Sequence, residues 1–508
     1  MDASMRTGCL PGTRADILKF VVDWVHSHSQ QNVLWLHGLA GSGKSTISTT
    51  VAETFRELQR LGAFIFFNRN TLSSDPAVVI RTLSFQLARF DRSIKSAICD
   101  AIEHNPGIAE SAMRFQFSKL FLEPLMSIKA HTRGPVIIIL DALDECGDPM
   151  SRKSLLALLA QGLAKLPPIF RFLITSRRES DIDAGFRGRS NIVAIDLHSM
   201  DQSKIEDIML YFRHHIATLP HDELPCDWPG EERIQALTAS SEGLFIWAST
   251  AMKFIESGYN PEQRLNILLD SRPRSKTKSP LDVLYSTALG VATKWDEDED
   301  CAAFRAVLGA IVVGRTPLSD TTLDLFLGLD GFRSSRHILK HLRCLLHWDA
   351  GHTVRILHAS FADYLADPDR CGSHPWFIKI SHHHHAFALA CFQQMKAGLR
   401  FNICHLETSH LLNDCVSDLD VRIKNHIPDH LSYACRFWAD HLQETRFDPG
   451  SLAYLEDFLY VRLLHWLEIM SLIKEMFLAS QALKSAVDWT KVTLYNFLNL
   501  PTYLNIIL

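Results

Sequence analysis

The positions from Gly38 to Ser45 combine residue types that work together as a grip on phosphate. In "VLWLHGLAGSGKST" (Val33 to Thr46), Gly38, Gly43, Lys44 and Ser45 fit the spacing G-x-x-x-x-G-K-[ST]. Glycine is costly to order and packs nothing, so a cluster of it straight after an apolar run needs a reason. Here the reason is access. With no side chains at Gly38, Gly41 and Gly43, main-chain N–H groups around Ser42 can curl about a phosphate. A helix starting at Lys44, with Ser45 and Thr46 in its first turn, adds donors and a positive dipole end. Lys44 is predicted to reach the β- and γ-phosphates, and the Ser45 hydroxyl to ligate Mg²⁺.

A metal-dependent phosphate site also needs acids. "VIIILDALDEC" (Val136 to Cys146) runs four apolar residues into Asp141. An acid at the C-terminal end of a parallel strand lies on the edge where the phosphate loop sits, so Asp141 is expected to hold Mg²⁺, through water. Asp144 and Glu145 follow within one turn and could orient or deprotonate a water, with Glu145 the first choice as base; helix-capping acids are the plainer alternative. The next apolar run ends "RFLITSRRE", which puts Arg177 at the same edge as a bidentate donor to a γ-phosphate, or as an ordinary surface arginine. Arg69, after "FFN", is a weaker candidate of the same kind.

Elements must position these groups. Residues 1–30 form a lead-in with Ile17, Phe20, Val21 and Trp24 on one helical stripe. From 31 to 199 the runs "NVLWL", "AFIFF", "VIIIL", "RFLIT" and "IVAIDL" fit strands buried on both faces of a parallel sheet. Helices lie between them. One runs from Lys44 to about Leu61 with Gly62 as its stop, and another opens at "SDP" with Asp75 as cap and Pro76 in the first turn. This alternation predicts an α/β class, a P-loop NTPase sheet with helices on both faces. The rest is mainly α. A helical domain spans 200–290. In 291–370, helices precede "LLHWD" and "TVRILH", which pair as a hairpin to give a winged helix. A C-terminal helical region spans 371–508. "SRPRSKTKSP" reads as a basic linker and "KWDEDED" as an acidic turn. The run His382 to His385 reads as a polar helix start; His382 and His385, at i, i+3, could instead share a metal ion.

Composition sets outer limits. The 508 residues are 47% apolar and 21% charged, with a net charge of −5, which gives no sign of a nucleic-acid binder. Eleven cysteines without a C-x-x-C pair suggest free thiols in a reducing compartment. No apolar run approaches the ~18–20 residues of a membrane span, and the N-terminus lacks a signal core, so a soluble cytoplasmic protein is expected.

"WLHGLAGSGKSTI", "LDALDE" and "FLITSR", in this order, resemble the NACHT domain of STAND-class signalling NTPases, and most of all the fungal NOD-like receptor group. "CLPGTR", "SEGLFIWASTAMKFI", "VRILHASFADYLADPDRCG", "YACRFWADHL" and "LLHWLEIMSLI" extend the resemblance over about residues 9–475. It implies a nucleotide-operated switch: ADP held between the α/β core and the winged helix in a silent state, exchange for ATP permitting assembly, slow ATP hydrolysis, Mg²⁺ as metal, and protein partners or self-assembly rather than nucleic acid. On the same resemblance Arg14 lies near the adenine, and His358, in "ILHASF", matches the winged-helix histidine that contacts the ADP phosphates. Phe245 stands where related families have a proline against the base. No effector domain precedes the loop and no repeat sensor follows the helices, as expected of a minimal switch, a truncated product or a subunit. The other functional readings are a remodelling ATPase of the AAA+ type and a non-catalytic scaffold stabilised by nucleotide.

Overall fold

The structure, a computed structural model, describes residues 7–68, 76–128, 134–197, 202–219, 225, 227–258, 260–271, 279–295, 298–331, 334–408 and 410–497. Arg69, Asp75 and most of the basic linker lie outside these residues. The chain divides into two compact units, 1–287 and 288–508.

In the first unit the five apolar runs become β1 (Val33–His37), β2 (Leu61–Phe66), β3 (Val136–Asp141), β4 (Phe170–Ser176) and β5 (Ile192–Asp196). They form one parallel sheet in the order β2-β3-β4-β1-β5. Side chains alternate between the faces. Val33, Trp35, Ile138, Leu140 and Phe172 enter one core, closed by α3 (Pro76–Phe90); Leu34, Leu36, Ile137, Ile139 and Leu173 enter the other, closed by α1 (Ala15–His26) and α2 (Lys44–Glu57). Every residue of β3 is buried, which explains why its run is continuous rather than alternating. Each such Ile or Leu contributes on the order of 1.5–3 kcal/mol. Parallel strands also place all five C-terminal ends on one edge, where the residues after β1, β3 and β4 meet.

One expectation fails. Gly62 does not stop α2; it lies within β2, where a Cβ would come 2.6 Å from Val136 Cγ1. The helix ends at Glu57, and Gln59 takes the left-handed conformation at φ 55°. Gln59 N–H donates to Arg56 O at 2.9 Å and Arg60 N–H to Phe55 O at 2.7 Å. This is a Schellman ending built on Gln instead of Gly, and the glycine is reserved for close strand approach.

Helices Gln202–Ala217, Glu231–Ser240, Phe245–Glu256 and Pro261–Asp270 follow the sheet. In the second unit helices Asp298–Val313, Asp320–Leu327 and Ser335–His341 precede an antiparallel hairpin, β6 (Leu346–His347) and β7 (Arg355–Ile356), as expected from the two runs. The described residues beyond it contain long helices, among them Ile380–Gly398 and Asp429–Gln443. The histidine run is more than a polar helix start. His384 is buried because it shares an inward helix face with Phe387, Ala388 and Cys391, and its Nδ1 lies 2.9 Å from Nδ1 of buried His441. Among the described residues no group of three or more His, Cys, Asp or Glu is arranged to hold a metal ion, and no helix is long and apolar enough to cross a membrane.

Candidate functional site

β1 ends at His37 and the chain turns at once through Gly38. Gly41 and Gly43 sit at φ 77° and 89°, where a Cβ is strained. At Gly41 there is no space either: a Cβ would lie 1.8 Å from Ile246 Cγ2. Ser42 N–H donates to Leu39 O at 3.3 Å, curling the loop on itself. Gly43 caps α2 with no side chain to compete for the first-turn N–H groups, and Ser45 and Thr46 are half-buried in that turn.

Lys44 is buried, and its ammonium donates to two neutral carbonyls, Gly38 O at 2.9 Å and Leu39 O at 2.8 Å. Burial brings its pKa down to about 8, although Asp144, Asp141 and Glu145 all pull upward and Arg177 pushes down. The same interactions place these five groups in one neighbourhood. Ser42 Oγ is buried without a hydrogen-bond partner. A polyphosphate fits this donor set: it supplies negative charge to a desolvated ammonium and acceptors to an orphaned hydroxyl and to helix N–H groups.

Asp141, at the end of β3, is fully buried and accepts from Thr175 Oγ1 on β4 at 2.6 Å; Thr175 Oγ1 in turn accepts from Ala142 N–H at 2.9 Å. Ala142 turns through φ 58° into a single 3₁₀ turn, Leu143–Glu145. That turn sends the two following acids to different surroundings. Asp144 is buried and committed to Arg177, accepting its N–H at 2.9 Å and lying 3.3 Å from its Nε. Arg152, itself buried, donates to Asp144 O at 2.7 Å and pairs with Glu179 at 2.6 Å and Asp181 at 2.9 Å. A carboxylate already bridged to a guanidinium positions that guanidinium. Glu145 is half-buried beside it.

The lead-in reaches the same loop. In "CLPGTR", Thr13 N–H donates to Leu10 O at 2.9 Å, with Gly12 at φ 89° after Pro11: a type II turn. Cys9 N–H donates to Thr50 Oγ1 at 2.7 Å, tying the turn to α2. Arg14 follows, buried and at φ 59°; its N–H donates to the Asp207 carboxylate at 3.1 Å. Its guanidinium donates to Ser42 O at 2.8 Å and stacks 4.8 Å from the centre of the Phe245 ring. Ile246 N–H donates to Gly41 O at 3.2 Å. Asp207, Arg152 and Ile246 were invisible to sequence reasoning; only the adjacency of Ile246 to Phe245 in "GLFIW" pointed near it.

His358 lies in the second unit. It caps helix Ala359–Ala366, where its Nδ1 accepts from Ser360 N–H at 3.2 Å and lies 2.7 Å from Ser360 Oγ. This cap is a local role.

Residues 12–177 match the family model described as Nephrocystin 3, N-terminal, a span that contains the glycine loop and Asp141 and ends at Arg177. The chain is 22% identical over 492 residues to vegetative incompatibility protein HET-E-1 of Podospora anserina, covering 89% of this chain and 34% of that protein. It thus spans about a third of that relative's length. Among solved structures it is similar to a signal transduction ATPase with numerous domains (STAND) protein with a tetratricopeptide repeat sensor from Pyrococcus horikoshii. There the TM-score is 0.41 and the identity 14%, over 96% of this chain and 65% of that one. Cdc6p from Pyrobaculum aerophilum matches with a TM-score of 0.32 and 10% identity, over 70% of this chain and 93% of that one.

Proposed function

We propose, from the premise that this chain is a NACHT-type STAND NTPase, that it is a signalling switch that binds ATP and ADP with Mg²⁺, hydrolyses ATP slowly, and changes conformation or assembles on exchange. The observation that carries this reading is Lys44: an ammonium buried in a glycine loop, hydrogen-bonded to neutral carbonyls, beside the buried Asp141–Thr175 pair. In this reading Gly38, Gly41, Ser42, Gly43, Lys44 and Thr46 hold phosphate, and Ser45 and Asp141 would hold Mg²⁺, which neutralises charge on the phosphates. Glu145 orients a water, and Arg177, positioned by Asp144, meets the terminal phosphate. His358 contacts the diphosphate from a winged-helix domain at 291–370, which follows a NACHT core at 31–199 and a helical domain at 200–290. The C-terminal helical region then spans 371–508, and the protein acts in the cytoplasm.

The test is to denature the purified protein and identify what it releases, then to titrate folded protein with labelled adenine and guanine nucleotides in Mg²⁺. Released ADP and saturable adenine-nucleotide uptake are expected. Well-folded protein that takes up neither would overturn the reading.

A further inference from the structure

We infer that Arg14 and Ile246 are positioning residues of the phosphate loop, which fix the direction of its N–H groups by gripping the carbonyls of Gly41 and Ser42. This rests on the phosphate-loop reading and adds to it the two residues, both outside the loop motif, that set its geometry.

A trans peptide is planar, with its C=O and the next N–H pointing opposite ways, so holding one sets the other. Ile246 N–H holds Gly41 O at 3.2 Å, which sets the N–H of Ser42. Arg14 holds Ser42 O at 2.8 Å, which sets the N–H of Gly43. For Ser42 that direction is the Lys44 side: Ser42 N–H and Lys44 Nζ converge on the same carbonyl, Leu39 O. Glycine at 41 and 43 makes these planes easy to turn, with one long bond inside the loop, Ser42 N–H to Leu39 O, to resist it. The two outside grips remove that freedom before a phosphate arrives, which is what preorganisation requires.

Both grips are built. Arg14 is buried at 6% exposure and held in a left-handed backbone conformation that non-glycine residues avoid. The Asp207 carboxylate fixes its N–H and the Phe245 ring covers its guanidinium. Ile246 is wedged where a Gly41 side chain would be, its Cγ2 1.8 Å from that Cβ position. The lead-in and the helix Phe245–Glu256 therefore hold adjacent peptide units of one loop.

The experiment measures affinity for ADP and for inorganic pyrophosphate, each in Mg²⁺, in the wild type and in Arg14→Ala, Arg14→Lys and Ile246→Ala. Pyrophosphate has no base, so it reports on the loop alone. Arg14→Ala is expected to weaken both ligands by the same factor, about tenfold, leaving their affinity ratio at the wild-type value. Arg14→Lys, which keeps a donor for Ser42 O, recovers part of both. Ile246→Ala, which keeps the N–H but removes the wedge, weakens both by about threefold. Should Arg14→Ala weaken ADP while pyrophosphate holds, Arg14 is a base-side residue and the inference falls; unchanged affinity for both overturns it equally. If Arg14→Ala does not fold, the lysine and Ile246 variants decide by the same ratio. A wild type that binds neither ligand overturns the nucleotide reading itself, and this inference with it.

Discussion

Two buried polar clusters, one in each unit, are built to opposite plans. In the second unit Arg315 N–H donates to Tyr433 Oη at 3.0 Å, Tyr433 Oη lies 2.8 Å from His441 Nε2, and His441 Nδ1 lies 2.9 Å from His384 Nδ1. One proton order satisfies every contact without a charge: tyrosine gives its hydrogen to Nε2 of His441, which gives its Nδ1 hydrogen to His384. The chain of contacts from Arg315 N–H to His384 is thus self-satisfied, although Arg315 Nε is itself buried with no partner. In the first unit Lys44 carries a charge against neutral carbonyls, and Ser42 Oγ and Arg14 Nε are buried with no partner. A polar cluster that satisfies itself fixes a fold, whereas one left short of acceptors, on a frame of glycine, is built to be completed by a ligand.

The sharpest way to break this contrast is Lys44→Ala. It is expected to weaken nucleotide binding at least about a hundredfold, roughly 3 kcal/mol, with the unfolding midpoint of the free protein little changed. A labelled-ADP titration checks it, and wild-type affinity in the variant would remove the ammonium from the site.

The two clusters should also fail on opposite sides of neutrality. His384 is lowered from 6.5 to about 4 by burial, then by Arg315, while Glu444 pulls upward; His441 is displaced in the same direction. Between those values the unfolded chain binds a proton that the folded chain refuses. The His384 contribution to stability is therefore full above pH 6.5, declines toward pH 4 and levels off below it, by at most roughly 3 kcal/mol. Lys44 acts the other way, on binding. Above about pH 8 the free protein holds a neutral amine, so nucleotide affinity should drop as pH rises, by up to about tenfold per pH unit. Denaturant midpoints and ADP affinities across pH 4–10 measure both; affinity that rises above pH 8 would contradict the assignment of Lys44.

A smaller effect separates the units directly. His441→Leu removes the middle of that chain of contacts and strands His384 and Tyr433, which should cost the second unit about 2 kcal/mol of unfolding free energy. Pyrophosphate affinity, a property of the loop, should not move. A variant as stable as the wild type would mean that the imidazole pair is not structural.

What could be read in advance follows the same division. Gly38 to Ser45 and Asp141 were legible because strand, loop and helix are contiguous, and their spacing is a local property of the chain. Arg177 was legible as a strand end. Its pairing with Asp144, the grip of Arg14 on Ser42 and the His384–His441 contact span 33, 28 and 57 residues, and no periodicity records a contact between distant segments. The histidine run misled for a related reason. Four identical residues hide which of them faces inward, and only the helix register against Phe387 and Cys391 picks out His384. The end of α2 misled because Gln59 took the role usually left to glycine.

His358 crosses the division, since it is the site candidate that lies in the second unit. It caps its own helix through Ser360, two residues on, so its loss removes a helix cap worth about 1 kcal/mol whatever else it does. A drop in stability on His358→Ala therefore says nothing about nucleotide. His358→Ser separates the roles, because serine caps a helix well but presents no imidazole. If His358 is only a cap, serine should restore both stability and ADP retention to wild-type levels. If it contacts the diphosphate, serine should restore the stability while ADP still dissociates faster, by about tenfold for one lost hydrogen bond to a charged group. Measured dissociation of labelled ADP from the three proteins decides between them. Equal rates in all three would leave the phosphate site as the property of the first unit alone.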